Sequence, residues 1–372
     1  MNIAFDAKRL FLNYTGLGNY SRSLVYNMQR FFPHHTYHLY TPQIVRNKDT
    51  EKFFDESKFI IHTPGKKPKV LWRSFGIKKD LLRDNIDIFH GLSAEIPYGL
   101  DKTGIKTVVT IHDLIFKFFK KDYPFIDRRI YDIKTKYACR HADHIISISR
   151  HTTGDIMKSY AIGEEKISTV YLPLNPDFEK EYTFEELDAV KNKFNLPDSY
   201  FLYVGSITGR KNLALIIEAL SMLDKNDYLP LVVVGKGKKY FTKIKYMIRE
   251  LKLADKVIFL DNVNNSELPA IYHLSHFVVF PSKYEGFGIP VLEALQSNKP
   301  VLVSAGTSLE EVAGACGVVL NHNNAGQWAE KIKEYSHKKF DGRLIKEQCR
   351  RHLMNFEPSL LSKKIMDIYL TL

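Results

Sequence analysis

The segment from Ser282 to Ala294, SKYEGFGIPVLEA, places two carboxylates, Glu285 and Glu293, on either side of a glycine-rich turn that leads into a proline. Pro290 suits the first turn of a helix, where its missing N–H has no partner to lose, and Val291, Leu292 and Leu295 give that helix an apolar face. Glu285 is therefore expected on the loop and Glu293 one turn into the helix. Gly286 and Gly288, with Phe287 between them, let backbone amides approach a ligand closely, and the positive end of the helix dipole favours an anion. Amides and carboxylates together can meet sugar hydroxyls, and the helix end can meet a diphosphate. Taken alone, two glutamates eight residues apart are common and more often mark an ordinary strand-to-helix turn with a solvated acid.

A second segment, FLYVGSITGRKN from Phe201 to Asn212, ends a strand at Gly205 and carries Arg210 and Lys211 just before a helix. Arginine can fork two phosphate oxygens and lysine acts as a point charge, so the pair reads either as a diphosphate clamp or as a solvated basic loop. Near the start, Gly16 and Gly18 in TGLGNYSRSL precede an amphipathic helix and could cradle phosphate or a glycan. A dinucleotide fingerprint would need glycine where Ser21 stands. His112 and Asp113 end the strand in VVTIHDL, and His90 and Glu95 lie at a neighbouring strand end. A strand-end histidine is either a structural hydrogen-bonding group or a participant in chemistry.

The elements that must position these residues are visible as short β-branched runs alternating with amphipathic stretches. NIAFDA, TYHLYT, FIIHT, IDIFHG, TVVTIH and HIISIS form one series; FLYVGSI, LPLVVVG, KVIFLD, FVVFPS, PVLVSA and GVVLN form another. Such alternation predicts an α/β chain of parallel sheets with helices on both faces, and two series predict two doubly wound, Rossmann-like domains. The pattern breaks at YLPLNPDFEKEY, Tyr171 to Tyr182. The expected division is residues 1–173, 174–355 and a final helix over 356–372. Ligands of doubly wound sheets bind outside the carboxyl ends of the strands, so the cleft between the domains is the expected site.

Composition agrees. A chain of 372 residues exceeds what one core organises, and 44% hydrophobic content supplies two. The formal charge of +12 implies anionic partners. The opening MNIAFDAKRL has neither the basic region nor the apolar stretch of a signal peptide, and no apolar run reaches the length of a membrane span. Cys139, Cys316 and Cys349 are odd in number and far apart, which suggests three buried, unpaired thiols in a reducing cytoplasm. They lack metal-ligand spacing, no DxD triplet occurs and no aromatic–basic RNA motif is present. Neither a metal, a cofactor nor a nucleic acid partner is expected.

Together these segments resemble the retaining GT-B glycosyltransferases of family 4, and in particular their mannosyltransferase-like members. The resemblance rests on EGFGxPxxEA at Glu285 to Ala294, on VGxxxxRKN at Val204 to Asn212, on an opening similar to DARxL…TGIGxY from Asp6 to Tyr20, and on the HD of His112 and Asp113. It implies two Rossmann-like domains facing a cleft, the first for the acceptor and the second for the donor, with the last helix crossing back to the first domain. It also implies roles. Glu285 and His112 would act at the donor sugar; Arg210 and Lys211 would neutralise the leaving diphosphate; Glu293 would bind the ribose. Gly286, Phe287 and Gly288 would line the donor site, Gly16 and Gly18 would face its phosphates, and Val263, beyond KVIFL, would lie near the base. Tyr20, His90 and Asp113 would touch the acceptor, as could Glu95 beside His90.

The implied activity is metal-independent transfer of a hexose, mannose from GDP-mannose in the first instance, from a nucleoside diphosphate sugar to a saccharide or lipid-linked acceptor in surface polysaccharide synthesis. The chain departs from the family pattern at Asp261 and Asn262, where glycine is usual, at the interdomain segment LPLNPDF, which lacks its glycine, and at Glu310, which replaces proline while Glu311 retains the acid. Competing readings are a sugar-nucleotide epimerase of the same fold, a phosphorylase, a catalytically idle sugar-binding subunit and an RNA-binding protein. Ile115, Phe116, Phe118, Phe119, Tyr123, Phe125 and Ile126 alternate with Lys117, Lys120, Lys121, Arg128 and Arg129. That mixture predicts a cytoplasmic protein peripheral to an anionic membrane face.

Overall fold

The computed structural model describes residues 1–65 and 71–372. The chain divides into two compact units, Met1–Pro173 with Phe356–Leu372, and Leu174–Asn355.

In the first unit, β1 (Asn2–Asp6), β2 (Thr36–Tyr40), β3 (Phe59–His62), β4 (Ile88–Gly91), β5 (Lys106–Ile111), β6 (His144–Ser147) and β7 (Ile167–Thr169) form one sheet in the order β3-β2-β1-β4-β5-β6-β7. All of its pairings are parallel. Helices cover both faces of such a sheet, so its central strands are apolar without alternation: Ile3, Ala4 and Phe5 are all fully buried. The series read from the sequence has six runs; the seventh, β7, is only Ile-Ser-Thr and carries no apolar run to betray it. It pairs with β6 through the backbone, and hydroxyls add to that, with Thr169 Oγ1 2.9 Å from Thr153 Oγ1 and 3.2 Å from Ser147 Oγ.

The last helix, Pro358–Thr371, buries Leu361, Ile365, Met366 and Tyr369 along one stripe and packs on the Gly16–Phe31 helix. Both belong to the first unit.

The second unit contains β8 (Phe201–Val204), β9 (Leu231–Val234), β10 (Val257–Leu260), β11 (Phe277–Phe280), β12 (Val301–Ser304) and β13 (Gly317–Leu320), ordered β10-β9-β8-β11-β12-β13. Its core gathers on the fully buried Trp328, and Phe201 stacks on Phe277 across the middle strands at 5.0 Å. In each sheet the strand order reverses once, between β1 and β4 in the first and between β8 and β11 in the second. Loops leaving the carboxyl ends of those two pairs diverge to opposite sides, which opens a crevice at each point.

The cysteines correct the sequence expectation. Cys139 is free and buried, but Cys316 and Cys349 form a disulfide with Cα atoms 5.6 Å apart. The Gly342–Leu353 helix folds back on the Gly314–Cys316 turn, and His352 Nε2 donates to the Val312 carbonyl at 2.8 Å. Gly314 makes that approach feasible, since a Cβ there would lie 2.5 Å from the His352 ring. Sequence separation alone carries no information on this contact.

Candidate active site

At the reversal point of the second sheet, the loops after β8 and β11 are stitched together. Lys283 N donates to the Arg210 carbonyl at 2.8 Å, Arg210 Nη1 to the Tyr284 carbonyl at 2.6 Å, and Asn212 Nδ2 to the carbonyls of Pro281 and His322 at 3.1 and 3.0 Å. Asn212 adopts a left-handed conformation, φ +58°, which asparagine tolerates better than most residues. These bonds bring Arg210 and Lys211 onto Glu285. Lys211 Nζ lies 2.6 Å from Glu285 Oε1 and Arg210 Nη1 lies 3.1 Å from Oε2.

Glu285 is 8% exposed. Burial pushes its carboxyl up, but Lys211 and Arg210, aided by a hydrogen bond from Ser282, outweigh that and hold it below the usual carboxylate range. The carboxylate therefore stays charged at neutral pH.

The turn itself depends on Gly288, whose φ of +124° disfavours an L side chain and whose added Cβ would come within 2.6 Å of Leu309 Cδ2. Ser308 Oγ braces the turn from below, 2.9 Å from the Glu285 carbonyl and 2.7 Å from that of Phe287, and Phe287 is itself buried. The helix begins at Ile289 with Pro290 in its first turn, as the sequence suggests, and Glu293 follows on it. Glu293 Oε2 accepts from the buried Tyr272 hydroxyl at 3.1 Å. Burial pushes its carboxyl up to about 7, against the opposing pull of Tyr272 and Lys211. Val263 follows β10, which β9 separates from β8 in the sheet.

In the first unit, His112 follows β5 and is nearly buried. Its Nε2 lies 2.9 Å from the Leu92 carbonyl, so that nitrogen must carry the proton and Nδ1 is left with a lone pair. Burial lowers its pKa to about 4 despite the Leu92 carbonyl, and Arg9 adds to the effect, so the ring is neutral at physiological pH. Tyr20 meets it edge-on at 4.6 Å. Asp113 Oδ1 accepts from Ile115 N at 3.0 Å and so shapes the turn after His112.

The expectation for His90 changes here. His90 is fully buried with both ring nitrogens engaged, Nε2 2.8 Å from Thr110 Oγ1 and Nδ1 2.5 Å from the Tyr369 hydroxyl, and burial lowers its pKa to about 3. Tyr20 is also buried, its hydroxyl 2.8 Å from the same Thr110 oxygen. His90 belongs to the framework tied to the final helix through Tyr369, whereas the Tyr20 ring packs against His112 itself. Gly18 likewise serves packing: a Cβ there would fall 1.8 Å from the Asn13 carbonyl oxygen, and its amide already donates to Asn13 Oδ1 at 3.1 Å. Gly16 begins the same helix.

Asp6 and Glu95, both named from the sequence, join two residues that it did not single out, Arg73 and Lys134. Arg73 binds Asp6 through Nε, 3.1 and 2.9 Å from its two oxygens, and Glu95 through Nη1 at 2.6 Å; Lys134 Nζ completes the group 2.7 Å from Glu95 Oε1. These residues lie at sequence positions 6, 73, 95 and 134, at or beyond the carboxyl ends of β1 and β4 and on two helical segments. Asp6 opens the DARxL-like segment, but no local motif announces Arg73 or Lys134.

Two family models match the chain in tandem, Glycosyltransferase Family 4 over residues 14–178 and Glycosyl transferases group 1 over residues 184–351. The chain belongs to the family 4 glycosyltransferases. This glycosyltransferase is 31% identical over 225 residues to the O-antigen chain mannosyltransferase RfbU of Salmonella typhimurium, a match that covers 60% of this chain and 59% of that protein, under two thirds of its length. It is 27% identical over 341 residues to the O-antigen chain mannosyltransferase B of Escherichia coli, covering 87% of each. In fold it is similar to HepE of Anabaena, solved in complex with UDP, with a TM-score of 0.73 over the full length of both chains at 13% identity. Its fold class is GT-B, two α/β units each built on a parallel sheet.

The second unit of the glycosyltransferase thus holds two carboxylates with opposite titration. Glu285 is kept charged by its cations, whereas Glu293 changes charge near neutrality. Environments that push two acids apart in this way separate their chemical roles.

Proposed function

We propose that this chain is a retaining transferase that moves a hexose, in the first instance mannose from GDP-mannose, from a nucleoside diphosphate sugar to a saccharide acceptor of surface polysaccharide synthesis. The observation that carries the proposal is the clamp of Arg210 and Lys211 on the buried Glu285 at the β8/β11 reversal point. Two fixed cations there can take the charge of a departing diphosphate without reorganising, and a permanently ionised Glu285 can hold the sugar as positive charge develops on it. Glu293 would accept from the ribose hydroxyls. The lone pair on His112 Nδ1 would accept from a sugar hydroxyl, and the departing phosphate would help to take the acceptor proton. The mannose assignment draws on the names of the two O-antigen mannosyltransferases.

The direct test is release of nucleotide by purified protein from GDP-mannose, UDP-glucose and UDP-galactose, with and without EDTA. GDP-mannose should be preferred and chelation should leave the rate unchanged. Preference for a uridine donor would overturn the mannosyl assignment, and a requirement for added Mg²⁺ or Mn²⁺ would overturn the cation clamp.

Glu293 supplies a pH signature. Its folded pKa is raised, so any stability it lends is complete below the usual carboxylate range and is lost as the pH rises through about 7. Ribose hydroxyls donate more strongly to a carboxylate than to a neutral acid, so affinity for GDP-mannose should rise between pH 6 and 8 as Glu293 ionises. The diphosphate of GDP-mannose does not itself titrate there. Calorimetry should find that slope in the parent and a flat profile in Glu293→Gln; equal slopes would remove Glu293 from the ribose.

We also propose peripheral binding to an anionic membrane. On the Phe125–His141 helix, Phe125, Ile126, Ile130 and Ile133 are exposed, Ile126 at 70%, and the Arg128 and Arg129 guanidinium groups lie over the Phe125 ring at 5.3 and 5.5 Å. The first part of the aromatic run behaves differently. Ile115 and Phe116 are buried, and Lys117 is taken by Asp132 at 2.7 Å. No helix among the described residues is long and apolar enough to cross a membrane. Flotation should show salt-sensitive binding to vesicles containing anionic lipid that falls when Lys120, Lys121, Arg128 and Arg129 become serine; binding indifferent to lipid charge would contradict it.

A further inference from the structure

We infer that the cavity of about 270 Å³ lined by Lys8, Leu12, Arg73, Ser74, Glu95 and Lys134 in the first unit receives one sugar unit of the acceptor that bears an anionic group, a carboxylate or a phosphate ester. The inference rests on the transferase reading and gives its acceptor a chemical class.

Position is the first argument. Lys8 follows the carboxyl end of β1 and Glu95 follows that of β4, and these two strands flank the reversal point of their sheet, where doubly wound folds open a crevice. The wall is also built rather than incidental. Arg73 and Ser74 come from a π-helical turn, Trp72–Gly76, a rare geometry that recurs at functional sites. The buried Trp72 anchors that turn through Nε1, 2.6 Å from Asp80 Oδ2, and Gly76 leaves room for the indole, since a Cβ there would sit 3.1 Å from Trp72 Cδ1.

Charge is the second argument. Arg73, Glu95 and Lys134 are spent on one another and on Asp6. Lys8 makes no ion pair among the described residues, so the group of Lys8, Arg73 and Lys134 with Asp6 and Glu95 carries one uncompensated positive charge. Burial, and then the neighbouring Arg73 and Arg9, lower the Lys8 pKa against the opposing pull of Asp6 and Glu95, the response of an ammonium whose desolvation the two carboxylates do not offset. An incoming anion relieves that penalty, whereas a neutral sugar does not. Leu12 offers apolar surface to the C–H face of a ring, and the volume, just under the range of about 300–1,000 Å³ typical of drug-sized sites, suits a single sugar better than a chain.

The test uses the full chain saturated with GDP, so that Arg210 and Lys211 are occupied, and the probes methyl β-glucuronide, mannose 6-phosphate and methyl α-mannoside. Saturation-transfer NMR titrations should give at least one anionic probe an affinity about tenfold above that of the neutral glycoside, and Lys8→Met should remove that advantage. Which anionic probe wins distinguishes a uronate from a sugar phosphate. Equal binding of all three, no binding of any, or an advantage that survives in Lys8→Met would overturn the inference. Thermal melting checks that the Lys8→Met chain is folded. GDP binding by the parent is scored separately: a protein that binds GDP but shows no preference among the probes refutes the acceptor pocket alone, and one that binds no nucleotide refutes the transferase reading.

Discussion

Glu285→Gln should reduce turnover by about 10²–10³-fold while affinity for GDP holds or rises. The carboxylate is expected to act on the developing charge of the sugar, so its loss falls on the transition state. In the ligand-free protein it also balances Lys211 and Arg210, both largely buried, at 2.6 and 3.1 Å. Removing one partner of a buried ion pair typically costs about 3–5 kcal/mol because the remaining charge is left desolvated. A diphosphate restores that counter-charge, so GDP should raise the melting temperature of the variant more than that of the parent. The acid limb should change as well. The folded pKa of Glu285 is depressed, so its stabilisation is complete above the usual carboxylate range and is lost as the pH falls through the folded value; the glutamine variant should lack that loss. Turnover within a few-fold of the parent would remove Glu285 from the chemistry.

Lys211→Met should weaken GDP binding by at least tenfold and lower stability by about 3 kcal/mol, the lower end of the buried-pair range, because Arg210 still faces Glu285. Two further readouts separate a clamp from a merely structural lysine. Lys211 also pulls the Glu293 pKa down from above, so the pH midpoint of GDP-mannose binding should move upward in the variant. The double change Glu285→Gln with Lys211→Met should be more stable than the sum of the single changes, since each removes the charge that the other leaves stranded. Strict additivity in thermal or denaturant unfolding, with an unmoved midpoint, would show that the two charges do not form a unit.

Much of the architecture is a local property and was legible in the residues. All six runs of each sequence series appear as strands, because a parallel strand covered on both faces must be continuously apolar and β-branched over four to six residues. The turn at Gly286 to Pro290 was equally legible, since glycine at positive φ and proline in the first helical turn are demands of the backbone itself. Strand β7 was not, because its three residues, Ile-Ser-Thr, pair with β6 through the backbone and leave no apolar run as a signature. Arg210 and Lys211 could be named from their loop, but not their grip on Glu285, which depends on β8 and β11 lying side by side although they stand more than seventy residues apart.

The sequence by itself determined the fold class, the two series of strands and the loops that carry the candidate donor residues, all consequences of short-range periodicity and turn chemistry. Tertiary structure alone decided three matters. It buried His90 against Tyr369 of the last helix, joined Cys316 to Cys349, and gathered Asp6, Arg73, Glu95 and Lys134 into one cluster beside a cavity. Each is a contact between distant segments, and burial and charge pairing arise only once the chain has brought those segments together.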